Sequence, residues 1–441
     1  MILNVITFGV FFAISMISGL HALGFWIFFM ITHGIFYQFL GKGSEHLPLF
    51  AGLAVLIVML IRRKWAGVSL RLLVLVIALI SCMAISSFFG IDQDVSLITI
   101  IAYAKGYFLV LILAGAIRSD SELKIMTLYC VAGLVAGGIA CIYQYLTGSF
   151  VISTIYEKRA ASLRADPNDT AMLFVAGFPV IYYWFSAMRS IIGKVACVIG
   201  VGLLLAGVIL TGSRGGFVAL LLIMVMVFLY RPSVRIFLVS VFVAAILVVL
   251  APSSYWARMS TMVNWKEQHQ SHSLRNRATL QQVGAGIFFQ YPLLGVGPGN
   301  FGRAFFAETL PVGKTLSTRS TDVEKTFTVA HNMFLEFFVE NGVLGGVLFL
   351  LIFFLSIRNF LRYDRRQGND KRGFGLGTSL ALALGGMLFA GLFLSQGKNS
   401  VLWTMVGLGF SAGAVSNRKT AEEPVVIAPE TADAPVSFTK A

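Results

Sequence analysis

Apolar residues run in long stretches along most of the chain, with short polar breaks between them. The stretches cover about 3–40, 48–61, 67–89, 96–117, 123–147, 168–188, 191–211, 215–230, 234–251, 331–357, 374–394 and 399–416. A bilayer core about 30 Å thick takes roughly 20 apolar residues of helix at about 1.5 Å each, and most stretches are near that length. Membrane barrels show weak alternating segments of about ten residues instead, and this chain has none. The pattern predicts an all-α polytopic membrane protein with about 12 transmembrane helices. Stretch 3–40 is long for one crossing and short for two. It predicts either one crossing with a re-entrant piece or two short crossings.

Composition agrees. Of 441 residues, 57% are hydrophobic and 12% charged, about half the charged share of a soluble protein. Mean hydropathy is +0.83. The length therefore describes one membrane bundle rather than two or three soluble domains. The start, MILNVITFGVFF, lacks a basic region, so no cleavable signal peptide is expected. Cys82, Cys130, Cys141 and Cys197 are isolated in apolar segments and read as small packing residues.

The net charge of +14 changes the picture only through its distribution. Arg62-Arg63-Lys64, Arg118/Lys124, Arg189/Lys194, Arg231/Arg235, the stretch 358–372 and Arg418-Lys419 alternate onto one side. The positive-inside rule makes that side the cytoplasm. This divides the chain into a first part of the bundle, 1–251, a long periplasmic loop, 252–330, a last part of the bundle, 331–418, and a disordered cytoplasmic tail, 419–441. Within the loop, residues 275–290 (RNRATLQQVGAGIFFQ) predict a helix on the membrane surface. YPLLGVGPGNF (291–301) breaks it, and 302–328 predict a polar loop.

The outer face should be poor in Lys and Arg, yet it holds Arg159, Arg164, Arg214, Arg275 and Arg277. Arg214 sits in a Gly-Ser-Arg-Gly-Gly turn between two spans, where the glycines allow close approach by another group. A snorkelling arginine explains one such residue but not the set. His331 stands at the outer entrance of a span and can accept a proton near neutral pH. Glu336 and Glu340 share a helical stripe, roughly 140° and 180° from His331 on a continuous helix. They are expected to pair with arginines or satisfy polar positions in the bundle, and they form no zinc-binding HExxH pattern. Asp92 and Asp94 read as ordinary outer-loop acids rather than ligands of a divalent ion, so no metal and no cofactor are expected. Arginine forks fit phosphate oxygens. The constellation therefore points to a phosphate-bearing lipid, and no nucleic-acid partner is expected.

These residues lie in motifs that together resemble the O-antigen ligase and polymerase superfamily. They are RAASLRADPNDTA (159–171), TGSRGG (211–216), Arg277-x-x-x-Gln281 before PLLGVGPGNF, and AHNMFLEFFVENGVLGG (330–346). The resemblance runs from about 150 to 360, and the chain departs from it in carrying Gln281 where a tryptophan is usual. It implies a GT-C-like glycosyltransferase of the bacterial inner membrane, with its active site facing the periplasm. Such an enzyme moves a glycan from undecaprenyl diphosphate without metal. Arg159, Arg214 and Arg277 would hold the diphosphate and His331 would be the general base, with Arg164, Arg275, Glu336 and Glu340 as additional candidates. The expected acceptor is lipid A-core. A polymerase or a protein O-oligosaccharyl ligase using the same donor is the alternative. A flippase of lipid-linked glycan is the rival of another class. A transporter predicts two similar halves around a midplane site, whereas the unexpected charges here gather on one face.

Overall fold

The computed structural model describes residues 2–44, 46–62, 67–149, 152–153, 158–163, 166–230, 232, 253–260, 272–309, 328–368 and 374–422. The helices are α1 (Ile2–Ile17), α2 (Gly19–Leu40), α3 (Leu47–Ile61), α4 (Leu70–Phe88), α5 (Gln93–Ala116), α6 (Asp120–Thr147), α7 (Pro167–Ala187) and α8 (Ile191–Thr211). They continue as α9 (Arg214–Tyr230), α10 (Ser253–Ser260), α11 (His272–Gln290), α12 (Phe301–Thr309), α13 (Met333–Arg366), α14 (Leu376–Ala390) and α15 (Ser400–Glu422). Ile152–Ser153 and Lys158–Arg159 form one short antiparallel pair.

Among the described residues, seven helices are long and apolar enough to cross a membrane, namely those within α2, α4, α5, α6, α7, α8 and α13. Four more apolar helices are shorter, in α1, α3, α9 and α14. About twelve spans were expected, and the difference has two sources. Several stretches fold into helices of 15–17 residues, such as α3 and α9, which fall short of about 30 Å at about 1.5 Å per residue. Stretch 234–251 lies outside the described residues. The first stretch divides at Ser18, whose hydroxyl caps α2. Apolar side chains cover the outside of the bundle, with Ile192 77% and Leu344 60% exposed. Apolar surface on this scale suits lipid rather than water. The chain is therefore an all-helical, multi-pass membrane protein.

The core lies where α5, α13 and α15 meet. Trp403 packs edge-on against Tyr107, with centroids 4.8 Å apart, and against Phe349 and Phe353. Gly106 leaves no room for a side chain beside the Trp403 ring.

The expected span at 331–357 is instead a folded helix. Gly342 has φ 65° and ψ −174°, which breaks α13 into arms 333–341 and 343–366. Phe337 and Phe349 would be about 18 Å apart along a straight helix, yet their rings stack at 4.0 Å. A break inside a bundle frees backbone groups that must find partners. PLLGVGPGNF supplies them: the Val296 and Gly297 N–H groups donate to the Val339 and Glu340 carbonyls, each at 3.0 Å. Val343 N–H donates to the Pro292 carbonyl at 2.7 Å, and Ser86 Oγ donates to the Glu340 carbonyl at 2.7 Å. Gly342 is the break itself. Its missing side chain admits the Leu293 carbonyl. Gly342→Ala should therefore strain the backbone and collide with residue 293, costing about 1–3 kcal/mol from φ alone. The expected result is a marked fall in folded protein extracted from membranes, read by size-exclusion yield and melting temperature.

Three expected boundaries move. Residues 301–309 of the predicted loop form α12, whose Phe301, Phe305 and Ala304 pack with Ile287 and Val296 in a second small core. Residues 310–327 lie outside the described residues. The basic stretch after 357 continues α13 to Arg366, because no glycine or proline interrupts it before Gly368 (φ 69°). Helix α15 reaches Glu422, four residues past the expected start of the tail, and 423–441 lie outside the described residues.

Connections distant in sequence meet at two ends of the bundle. At one end, Tyr363 and Gln367 donate to Asp120, Asp364 accepts from the Gly377 and Thr378 N–H groups, and Arg366 reaches the Ser416 carbonyl. At the other end, Ile91 N–H donates to the Val296 carbonyl at 3.0 Å, and Arg303 pairs with Asp92 at 2.9 Å.

Candidate active site

Residues 160–163 lie inside the bundle. Ala160, Ala161, Ser162 and Leu163 are fully buried, with Leu163 packed in the space left by Gly137. Irregular backbone at such depth needs internal partners. Gln144 accepts from the Ala161 N–H at 2.9 Å, Gln38 donates to the Ala161 carbonyl at 2.6 Å, and Ala160 N–H reaches the Leu210 carbonyl at 3.0 Å. This anchoring sets Arg159, which is only 6% exposed. Its Nε donates to the Thr211 carbonyl at 2.7 Å and one terminal nitrogen to Asn168 Oδ1 at 2.9 Å.

Asn168 Oδ1 also accepts from Ser213 Oγ at 2.9 Å. Ser213, fully buried, caps α9 by accepting from the Gly216 N–H at 3.1 Å. Gly212 closes α8 in the left-handed region, φ 58°. The turn between α8 and α9 is thereby only two residues long, and Arg214 is the half-buried first residue of α9. A helix N-terminus favours negative charge, and a guanidinium beside it adds to that preference.

Asp166 caps α7, accepting from Asn168 N–H and Nδ2 at 2.6 and 2.9 Å. It also lies within electrostatic reach of His331, as does Arg277 of α11. Burial pushes the half-buried His331 imidazole below its usual pKa, Arg277 pushes it further down, and Asp166 partly opposes both. His331 is consequently neutral at pH 7, the form a general base requires. Its backbone is also unusual: with φ 50°, it is the only non-glycine residue of positive φ among the described residues. Such conformations cost about 1–3 kcal/mol and persist where the surroundings over-determine them.

Asn168 thus joins Arg159 to the turn that carries Arg214, while Asp166 and Arg277 act electrostatically on His331; nothing in the local sequence pattern assigns Asp166 or Asn168 these tasks. DPND signals only a helix start, where Asp and Asn flank the proline that starts α7. Gln281, the departure from the family pattern, sits one turn past Arg277, and its Nε2 lies 3.5 Å from the His331 carbonyl. Arg164 lies outside the described residues, and the Arg275 side chain is not described. Glu336 and Glu340 do not pair with arginine. Glu336 accepts from the Ala330 N–H at 3.1 Å and from Ser395. Glu340 accepts from the Phe301 N–H at 3.4 Å. The helical-wheel angles to His331 do not apply, since α13 begins only at Met333 with Asn332 as its cap. Asp92 is committed to capping α5 and to Arg303.

Residues 199–350 match the family model described as O-antigen ligase. That match places this segment in the O-antigen ligase superfamily. No curated protein shows significant similarity to the chain. The matched O-antigen ligase segment contains Ser213, Arg214, Arg277, Gln281, His331, Glu336 and Glu340. Arg159, Asp166 and Asn168 precede it, and the fold adds them. Activity of ligase or polymerase type, transferring glycan at a membrane, follows from the family.

Asp166→Asn keeps a capping side chain but removes the charge that raises the His331 pKa. The acid limb of the activity profile should move to lower pH, measured as log kcat/KM against pH.

Proposed function

We propose that the chain transfers an O-antigen glycan from undecaprenyl diphosphate to lipid A-core on the periplasmic face of the inner membrane. The observation that carries this reading is that Arg277 and Asp166 both lie within electrostatic reach of the left-handed His331, with Asp166 bound to the Asn168 that joins Arg159 and Ser213. Arg214 and Arg277 are half-buried, and the planar guanidinium fork of each fits diphosphate oxygens. Arg159 is bound to Thr211 and Asn168, so it contributes charge from behind and fixes the turn that presents Arg214. The acceptor hydroxyl attacks the anomeric carbon, its proton passes to the His331 ring, and the carbon–oxygen bond to the diphosphate breaks. The guanidinium groups stabilise the charge growing on the departing diphosphate, so that no metal is required.

Reconstitution in liposomes with lipid-linked glycan and lipid A-core tests this reading. Mass gain on lipid A-core that persists in EDTA supports it. Extension of the lipid-linked glycan alone would make the chain a polymerase, and recovery only with added Mg²⁺ would reject guanidinium-only catalysis.

A further inference from the structure

We propose that Glu336 is a positioning residue that holds His331 in its strained, reactive pose. This rests on His331 being the base. A left-handed histidine does not hold itself, so its neighbours must fix the backbone on both sides. On the C-terminal side, Asn332 caps α13 by accepting from the Phe334 and Leu335 N–H groups, each at 3.1 Å. Met333 N–H donates to the Gly391 and Leu394 carbonyls at 2.8 and 3.0 Å. On the N-terminal side, the buried Ala330 N–H has Glu336 Oε2 as its partner, at 3.1 Å. The same oxygen accepts from Ser395, in the α14–α15 connection, and Lys398 lies within electrostatic reach. Glu336 thus reaches back over the histidine and ties the residue before it to a separate part of the bundle. It stands on the short arm of α13, which the 292–297 loop locks in place. The carboxylate is 8% exposed, and losing it leaves a buried N–H without a partner beside the proposed base.

The test is kinetic. Glu336→Ala should lower kcat by up to roughly a hundredfold, the scale of a small misplacement of a reacting group, with donor KM nearly unchanged. Glu336→Gln keeps an acceptor for the Ala330 N–H and should recover most of the rate. Ser395→Ala should give a smaller loss of kcat in the same direction and serves if Glu336→Ala folds poorly. In a His331→Ala background, Glu336→Ala should cost nothing more, because its effect passes through the missing imidazole. Three results would overturn the inference: full kcat in Glu336→Ala, a glutamine variant no better than alanine, or an additional loss in the double variant. A fully active His331→Ala would instead remove the base from the proposed reaction, so the two ideas fail separately.

Discussion

Arg214→Ala is expected to reduce glycan transfer by roughly 100- to 1000-fold, the usual scale for losing a principal donor to charge that develops in the transition state. The argument starts from its position. Arg214 opens α9, directly after the buried Ser213 that joins Asn168 and Arg159. Its guanidinium adds a full charge to the N-terminal helix dipole. Most of the loss should fall on kcat, since the diphosphate carries more charge as it departs than when it is esterified to the sugar. Arg214→Lys keeps the charge but not the planar fork, and should recover only part of the rate. Amount and monodispersity of the purified variant should match wild type, because the turn is held by Gly212, Ser213 and Asn168 rather than by the arginine. A lysine variant at wild-type rate would reject the fork as the gripping element.

His331→Ala is expected to cost roughly 100- to 10,000-fold in kcat, the range for removing general-base assistance, with donor binding preserved. With His331 as the proposed base, the form that accepts the proton is the neutral imidazole. Because burial and Arg277 lower its pKa, that form persists at neutral pH, and the rate should fall only as acidification protonates the ring below the ordinary histidine range near 6.5. Log kcat against pH should therefore show an acid limb in wild type that is absent from the residual activity of His331→Ala. An unchanged limb in that variant would assign the titration to another group.

Candidates for the site could be named from the chain because a topology read from basic connections leaves some arginines unexplained. Basic residues on the face expected to lack them nominated Arg159, Arg214 and Arg277. The sequence did not separate their tasks. Arg159 and Arg214 look alike as isolated outward arginines, yet one is buried against a carbonyl and an amide while the other remains half-buried at a helix start. The carboxylates satisfy buried polar groups, one of the two expectations, but the sequence did not show which groups. Helical-wheel angles assume a continuous helix, and α13 starts after His331 and breaks at Gly342, so Glu336 can reach Ala330 and Glu340 can reach Phe301.

By itself, the sequence determined that the chain is a bundle of apolar helices, which ends carry the basic connections, and which residue types are available for binding an anion. These follow from local quantities: transfer of apolar side chains, helix rise per residue and the cost of placing charge. Only the tertiary structure decided that PLLGVGPGNF completes a broken helix, that Asn168 joins Arg159 to the turn before Arg214, and that His331 holds a left-handed backbone. Each of these depends on hydrogen bonds between segments far apart in the chain, and no periodicity or spacing along one segment encodes its partner in another.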